Sequence, residues 1–124
     1  MEIQGKVTSG TQEGQYFMSL DVYKGQFREK LGFEPFPGTL NLKINENDAN
    51  KIRKLKGQMK TIKGKEKLGD VKLLPAVLNQ KVEGALVFPV KTQHNPEILE
   101  FIAQKNLRES LQLKDGDQAI LEIM

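Results

Sequence analysis

The sequence contains no cysteine and no tryptophan, and its only histidine is His94. Without thiols there can be no disulfide, no thiolate nucleophile and no thiolate zinc site. One imidazole also leaves a histidine-rich metal centre or a Ser-His-Asp triad without support. No apolar run is long enough to span a bilayer, and the start, "MEIQGKV", lacks the basic-then-apolar order of a secretion signal. These absences predict a cytoplasmic protein that stays out of the membrane and uses none of the large cysteine- or histidine-based chemistries.

What is present is ordinary in amount and uneven in arrangement. With 124 residues, 38% hydrophobic and 28% charged, the chain fits one globular domain spanning 1–124, large enough to build its own core. The formal charge is only +3, yet residues 51–67, "KIRKLKGQMKTIKGKEK", hold Lys51, Arg53, Lys54, Lys56, Lys60, Lys63, Lys65 and Lys67 against the single acid Glu66. Such a run suits nucleic acid or a polyphosphate, although charge runs more often form a solvated face.

Periodicity predicts a strand over "EIQGKVTS", the glycine-framed interruption "GTQEG", and a second strand over "GQYFMSL". "VYKGQFREKLGF" has helical spacing and ends at Gly32, a C-terminal cap. "EPFPG" is a loop, and "TLNLKI" is a strand with Leu40, Leu42 and Ile44 on one face and Thr39, Asn41 and Lys43 on the other. The Lys-rich middle shows no clear period beyond turns near Gly57 and Gly64. "GDVKLLPAVLNQKVEGALVFPV" predicts a hairpin turning at Asn79, Gln80 and Lys81, with Pro75 and Pro89 at edges, bulges or strand ends. "HNPEILEFIAQK" carries helix-start signals, with Asn95 as N-cap, Pro96 at the first helical position, Glu97 in the first turn and Ile98, Phe101 and Ile102 as the buried stripe. A further helical turn over "NLRESLQL", the turn "KDGD" and a last strand "QAILEIM" complete the chain. The sum is a mainly β protein, a small closed β-barrel with two or three short helices.

Three regions carry side chains suited to chemistry. In "SGTQEGQ", Gly10 and Gly14 allow several amide N–H groups to converge on an anion, although turn geometry alone also explains such glycines, and there is no Walker motif. Thr39 and Asn41 offer two neutral oxygens about 6–7 Å apart along the strand, able to meet on one hard cation. Magnesium suits such donors when a substrate phosphate supplies the negative charge; the plain alternative is a half-exposed strand face. Thr92, His94, Glu100, Asn106, Leu107 and Arg108 form the third region, where Arg108 is able to fork onto a phosphate or simply to face solvent.

Taken together, "GKVTSGTQEGQYFMSL", "LGFEPFPGTLNLKI", "GALVFPVKTQH" and "LRESLQLKDGD" resemble, in this order and at similar spacing, the archaeal-type CTP-dependent riboflavin kinase family. The resemblance covers the chain except for roughly residues 45–68. It implies a cradle-loop barrel that moves the terminal phosphate of CTP to the ribityl hydroxyl of riboflavin, giving FMN and CDP. By the same resemblance Gly10, Thr11, Gln12, Glu13, Gly14 and Gln15, with Lys105, Asn106, Leu107 and Arg108, bind the nucleotide. Thr92 and Glu100 meet the flavin, Thr39 and Asn41 ligate Mg²⁺, and Glu100 orients the attacking hydroxyl or accepts its proton. A monomer is expected, with CTP/CDP and riboflavin/FMN as its partners. The rival is a nucleic-acid-binding barrel regulator using the basic segment 51–67, which leaves "PGTLNL" unexplained.

Overall fold

The computed structural model describes residues 1–9, 21–36, 38–64, 69–90 and 96–123. Alternation sets the first strand, β1 (Glu2–Thr8): Ile3, Gly5 and Val7 are buried while Glu2, Gln4 and Lys6 face water. The helix α1 (Asp21–Leu31) follows, closed by Gly32 at φ +80, whose N–H donates to the Arg28 carbonyl at 2.9 Å. Next come β2 (Leu40–Lys43), α2 (Glu46–Arg53), a 3₁₀ turn (Lys56–Gln58), β3 (Lys60–Ile62), β4 (Val71–Leu78) and β5 (Val82–Pro89). The chain ends with β6 (Ile98–Ala103), α3 (Leu107–Ser110) and β7 (Gln118–Ile123). The second strand expected over "GQYFMSL" lies outside the described residues.

Pairing runs β4-β5-β6-β2-β1-β7 and returns to β4, always antiparallel, so six strands close a barrel and leave no open edge between them. The short β3 adds to β4 over residues 71–73, while β7 takes residues 76–78 on the same strand. Pro75 stands at this change of partner, a place where a missing amide hydrogen is tolerated. The β4–β5 hairpin turns through Asn79, Gln80 and Lys81, the first two in left-handed geometry at φ 50 and 59. Asn79 also anchors that turn to β7, since its Oδ1 accepts from the Ile120 N–H at 2.8 Å.

The helix expected from Asn95 onward does not form over Ile98–Ala103, which is the strand β6. Its neighbours β2 and β5 flank it on both edges, and Leu99 to Ala103 are all buried. A strand covered on both faces is a continuous apolar run with no period, so helix-start residues just before it gave the wrong local cue. Pro96 and Glu97 form a turn instead, and the Glu97 carbonyl accepts from the Ile44 N–H at 2.8 Å.

The Lys-rich middle hides a helix that the sequence reading left blank. Asn45 caps α2, its side chain accepting from the Asp48 N–H at 2.7 Å, with acids in the first turn and Lys51 and Arg53 in the last. Ala49 and Ile52 point from it into the barrel core with Leu40, Leu42, Ile44, Leu86, Leu99 and Phe101. A second apolar cluster forms on the outer face, where Tyr23 and Phe27 of α1 cover Ile62, Val71, Leu73, Ala85, Val87 and Ile102. That outer cluster decides what becomes of the polar side of β2.

Candidate active site

On β2 the expected division holds: Leu40, Leu42 and Ile44 enter the core, and Asn41 faces outward. The outward face is not a wet one. Asn41 is only 8% exposed, Thr39 is half-buried and Lys43 alone is exposed. Register then brings a carboxyl group beside the amide, because Asn41 is the direct partner of Glu100 across β2–β6. Residues opposed in this way point to the same side. Glu100, at 1% exposure, is the one buried carboxyl side chain among the described residues.

The row continues on both sides. Thr8 of β1 opposes Asn41, and Val87 of β5 opposes Glu100, so Thr8, Asn41, Glu100 and Val87 cross four strands on the barrel's outer face. Val87 belongs to the cluster under α1, which walls this end of the row with apolar surface. The register depends on Gly84, where a side-chain carbon would overlap the Ile102 carbonyl oxygen and the Phe101 ring. Only glycine lets β5 and β6 approach so closely.

Asn41 Oδ1 is buried and has no hydrogen-bond partner among the described residues. A buried amide oxygen left unpaired would cost about 1–3 kcal/mol, so this atom is placed to take a further group. A hard cation is one: it takes neutral side-chain oxygens readily when phosphates bring the negative charge. Among the described residues no group of three or more His, Cys, Asp or Glu is placed to hold a metal. A cation at this point would therefore depend on Asn41, on Thr39 two residues earlier, and on its substrate.

Arg108 reaches the same row from the other side. Its Nη2 donates to Asp115 Oδ1 at 2.6 Å and to the carbonyl of Thr8, Asn41's partner on β1, at 3.4 Å. Ser9 Oγ donates to the second Asp115 oxygen at 2.8 Å. The Arg108 guanidinium first, and the Ser9 hydroxyl second, hold the Asp115 carboxyl below the usual carboxylate range. Asp115 escaped the sequence reading because "KDGD" had a sufficient explanation as a turn; the one available signal was an acid close behind a candidate phosphate-binding arginine.

The remaining candidates divide clearly. Asn106 caps α3, its Oδ1 accepting from the N–H groups of Arg108 at 3.1 Å and Glu109 at 3.4 Å, which aligns Arg108. Leu107 is buried against the core, and Lys105 is exposed. Gly10, Thr11, Gln12, Glu13, Gly14, Gln15, Thr92 and His94 lie outside the described residues. In the basic segment, Lys51, Arg53, Lys54, Lys56, Lys60 and Lys63 are all exposed, as a solvated face would be. No helix among the described residues is long and apolar enough to cross a membrane.

Residues 7–123 match the family model CTP-dep_RFKase, described as Domain of unknown function DUF120. The chain belongs to the CTP-dependent riboflavin kinase family. A riboflavin kinase of Methanothermobacter thermautotrophicus is 48% identical over 115 residues, covering 93% of each chain. Another, of Methanobrevibacter smithii, is 46% identical over 123 residues, 98% of this chain and 99% of the relative. A third, of Methanosphaera stadtmanae, is 41% identical over 128 residues, 99% and 98%.

Proposed function

We propose that this member of the riboflavin kinase family transfers the terminal phosphate of CTP to the ribityl hydroxyl of riboflavin, giving FMN and CDP, with Mg²⁺ as the metal. The observation that carries the reading is the buried opposition of Asn41 and Glu100 on one face of β2 and β6. It sets a neutral oxygen donor beside a carboxylate, the first suited to a cation on the nucleotide and the second to the substrate hydroxyl.

In this reading Thr39 and Asn41 hold the cation, which when bound neutralises charge on the triphosphate. Residues 10–15 cradle the nucleotide, and Lys105, Asn106, Leu107 and Arg108 complete that site, with Arg108 forking onto phosphate oxygens. Thr92 and Glu100 receive the flavin. Glu100 accepts the hydrogen of the terminal ribityl hydroxyl and so aims its oxygen at the phosphorus. A new O–P bond forms in line as the bond to the bridging β–γ oxygen breaks; the hydroxyl proton passes to Glu100 or to solvent, and CDP leaves. Positioning and charge neutralisation supply most of the acceleration in such a loose transfer.

The test is to incubate the protein with riboflavin, Mg²⁺ and either CTP or ATP, and to follow FMN by chromatography. FMN forming with CTP in preference to ATP is the expected result. No FMN from any nucleotide, together with DNA binding that falls steeply with salt, would replace this reading with the nucleic-acid one.

A further inference from the structure

From Ala49 to Lys63 the chain has no acid, and its cations run over α2, the 3₁₀ turn and β3. On α2 the turn of the helix decides where they point. Ala49 and Ile52 enter the core, so Asn47, Asn50, Lys51 and Lys54, spaced three and four apart, share the face turned to solvent, and all four are exposed. Two amides and two ammonium groups make this a face of hydrogen-bond donors with positive charge. Lys51 meets Asp48 at 3.8 Å while staying largely exposed, a contact too weak to neutralise it. Lys54 has no ion-pair partner among the described residues. Beyond the helix Lys56 is exposed, and Lys60 Nζ donates to the Lys30 carbonyl at 3.5 Å, which joins the stripe to Arg28 and Lys30 in the last turn of α1.

A separate region is acidic. Glu2 opposes Glu122 across β1–β7, Glu122 opposes Val77 across β7–β4, and Val77 opposes Glu83 across β4–β5. The three acids are exposed and share one row on the barrel's outer face. Val77 lies six residues along β4 from Val71, the partner of Ile62 in β3, a separation of about 20 Å. The small net charge of +3 thus conceals surfaces of opposite sign. A polyanion is attracted to one and repelled by the other, which fixes how it approaches.

The stripe offers nothing to an apolar or aromatic partner. Residues 47–63 include no aromatic side chain, Ile52 and Ile62 are buried, and Leu55 and Met59 pack against the core. Stacking on unpaired bases, insertion into a membrane and the apolar centre of a protein interface all need such groups exposed. Ammonium and amide donors alone suit a regular array of phosphates, which a nucleic-acid duplex carries on its outside. The buried side of α2 fixes it to the barrel, so the donors keep a set spacing.

We propose that the solvent face of α2, continued by Lys56 and Lys60, binds the phosphate backbone of a nucleic-acid duplex without reading its sequence. This is a binding activity beside phosphate transfer, carried by a surface that holds none of the residues assigned to the candidate active site.

The test titrates protein into a short fluorescent duplex, DNA in one arm and RNA in the other, between about 50 and 200 mM salt. Binding to either duplex supports the proposal, and the arm that binds names the source. The expected slope of log affinity against log salt is about −4, the value for roughly four to five phosphate contacts. Lys51→Gln with Lys54→Gln should about halve that slope and weaken binding at least about tenfold. Lys6→Gln with Lys81→Gln, an equal loss of charge on other surfaces, should change affinity by less than about twofold. All four lysines are exposed, so both variants should melt like the wild type. Lys56→Gln with Lys60→Gln, off the helix, should act in the same direction as the α2 pair. FMN formation by the α2 pair should equal that of the wild type.

No duplex binding at the lowest salt, equal losses in the α2 and control pairs, or binding to anionic phospholipid vesicles without binding to duplex would overturn the proposal. So would an FMN rate that falls together with duplex affinity, since the stripe would then belong to the kinase site. Wild-type protein that binds duplex through the α2 pair and forms no FMN would leave the proposal standing and remove the kinase reading.

Discussion

Asn41 on β2 and Glu100 on β6 are direct partners across an antiparallel pairing, both buried on the outer face of a barrel whose neighbouring surface is apolar. Burying an amide and a carboxylate side by side does not serve the fold, since apolar residues would fill the same space at less cost. The pair is therefore where stability and activity should separate, and substitutions can show it.

Asn41→Leu removes a buried oxygen that has no partner among the described residues. Replacing such a group by an apolar one of similar size is expected to change stability by less than about 1 kcal/mol, or to raise it. FMN formation should fall at least about a hundredfold. A thermal melt and a chromatographic rate, measured on one preparation, check both halves.

Glu100→Gln keeps the shape and removes the charge. It should lower kcat by about 10²-fold, as expected for loss of a group that orients or deprotonates the nucleophile, with the KM for CTP little changed. A variant with normal kcat would restrict Glu100 to a structural part.

Asp115 sits between Arg108 and Ser9, with its carboxyl lowered by the first and then by the second. A carboxylate lowered in the folded state stabilises it above the ordinary value near 3.9, and that contribution disappears as pH falls through the lowered value. Asp70 behaves alike, lowered chiefly by the Gly64 N–H and also by Lys63. The contribution of these two carboxylates should thus be constant from neutral pH down to about 4 and fall below it. The fall should be shallower in Asp70→Asn and Asp115→Asn, as urea titrations across pH would record. Asp115→Asn should also raise the KM for CTP several-fold by freeing Arg108, with kcat less affected.

Gly84→Val tests the register itself. The added carbons meet the Ile102 carbonyl and the Phe101 ring, a backbone clash that side-chain motion cannot relieve. The expected cost exceeds the roughly 1–3 kcal/mol of ordinary overpacking, and FMN formation should fall with the folded fraction. Circular dichroism and the rate assay should track one another in this variant, unlike in Asn41→Leu.

Much of this arrangement was legible in the sequence. The alternation of "TLNLKI" placed Asn41 opposite the core side of β2, and the Gly32 cap and the Asn79 turn, read from residue type and pattern, take left-handed φ values in the structure. Glu100 was picked out as a candidate but assigned to a helix, because a strand covered on both faces has no period to betray it. The pairing with Asn41 is a register between residues 59 positions apart, and nothing local encodes it. Helix α2 had its cap and end charges in plain view, yet its lysines and asparagines masked a buried stripe of only Ala49 and Ile52. Asp115 needed the fold, since its partners Ser9 and Arg108 come from opposite ends of the chain.

The most direct measurement is a crystal structure of the protein with CDP, FMN and Mn²⁺ in place of Mg²⁺, located by its anomalous signal. The account predicts a peak at metal-bonding distance, roughly 2.1–2.2 Å, from Asn41 Oδ1 and within reach of Thr39, with the flavin's terminal oxygen beside Glu100. A peak away from β2, with Asn41 turned from the nucleotide, would contradict it.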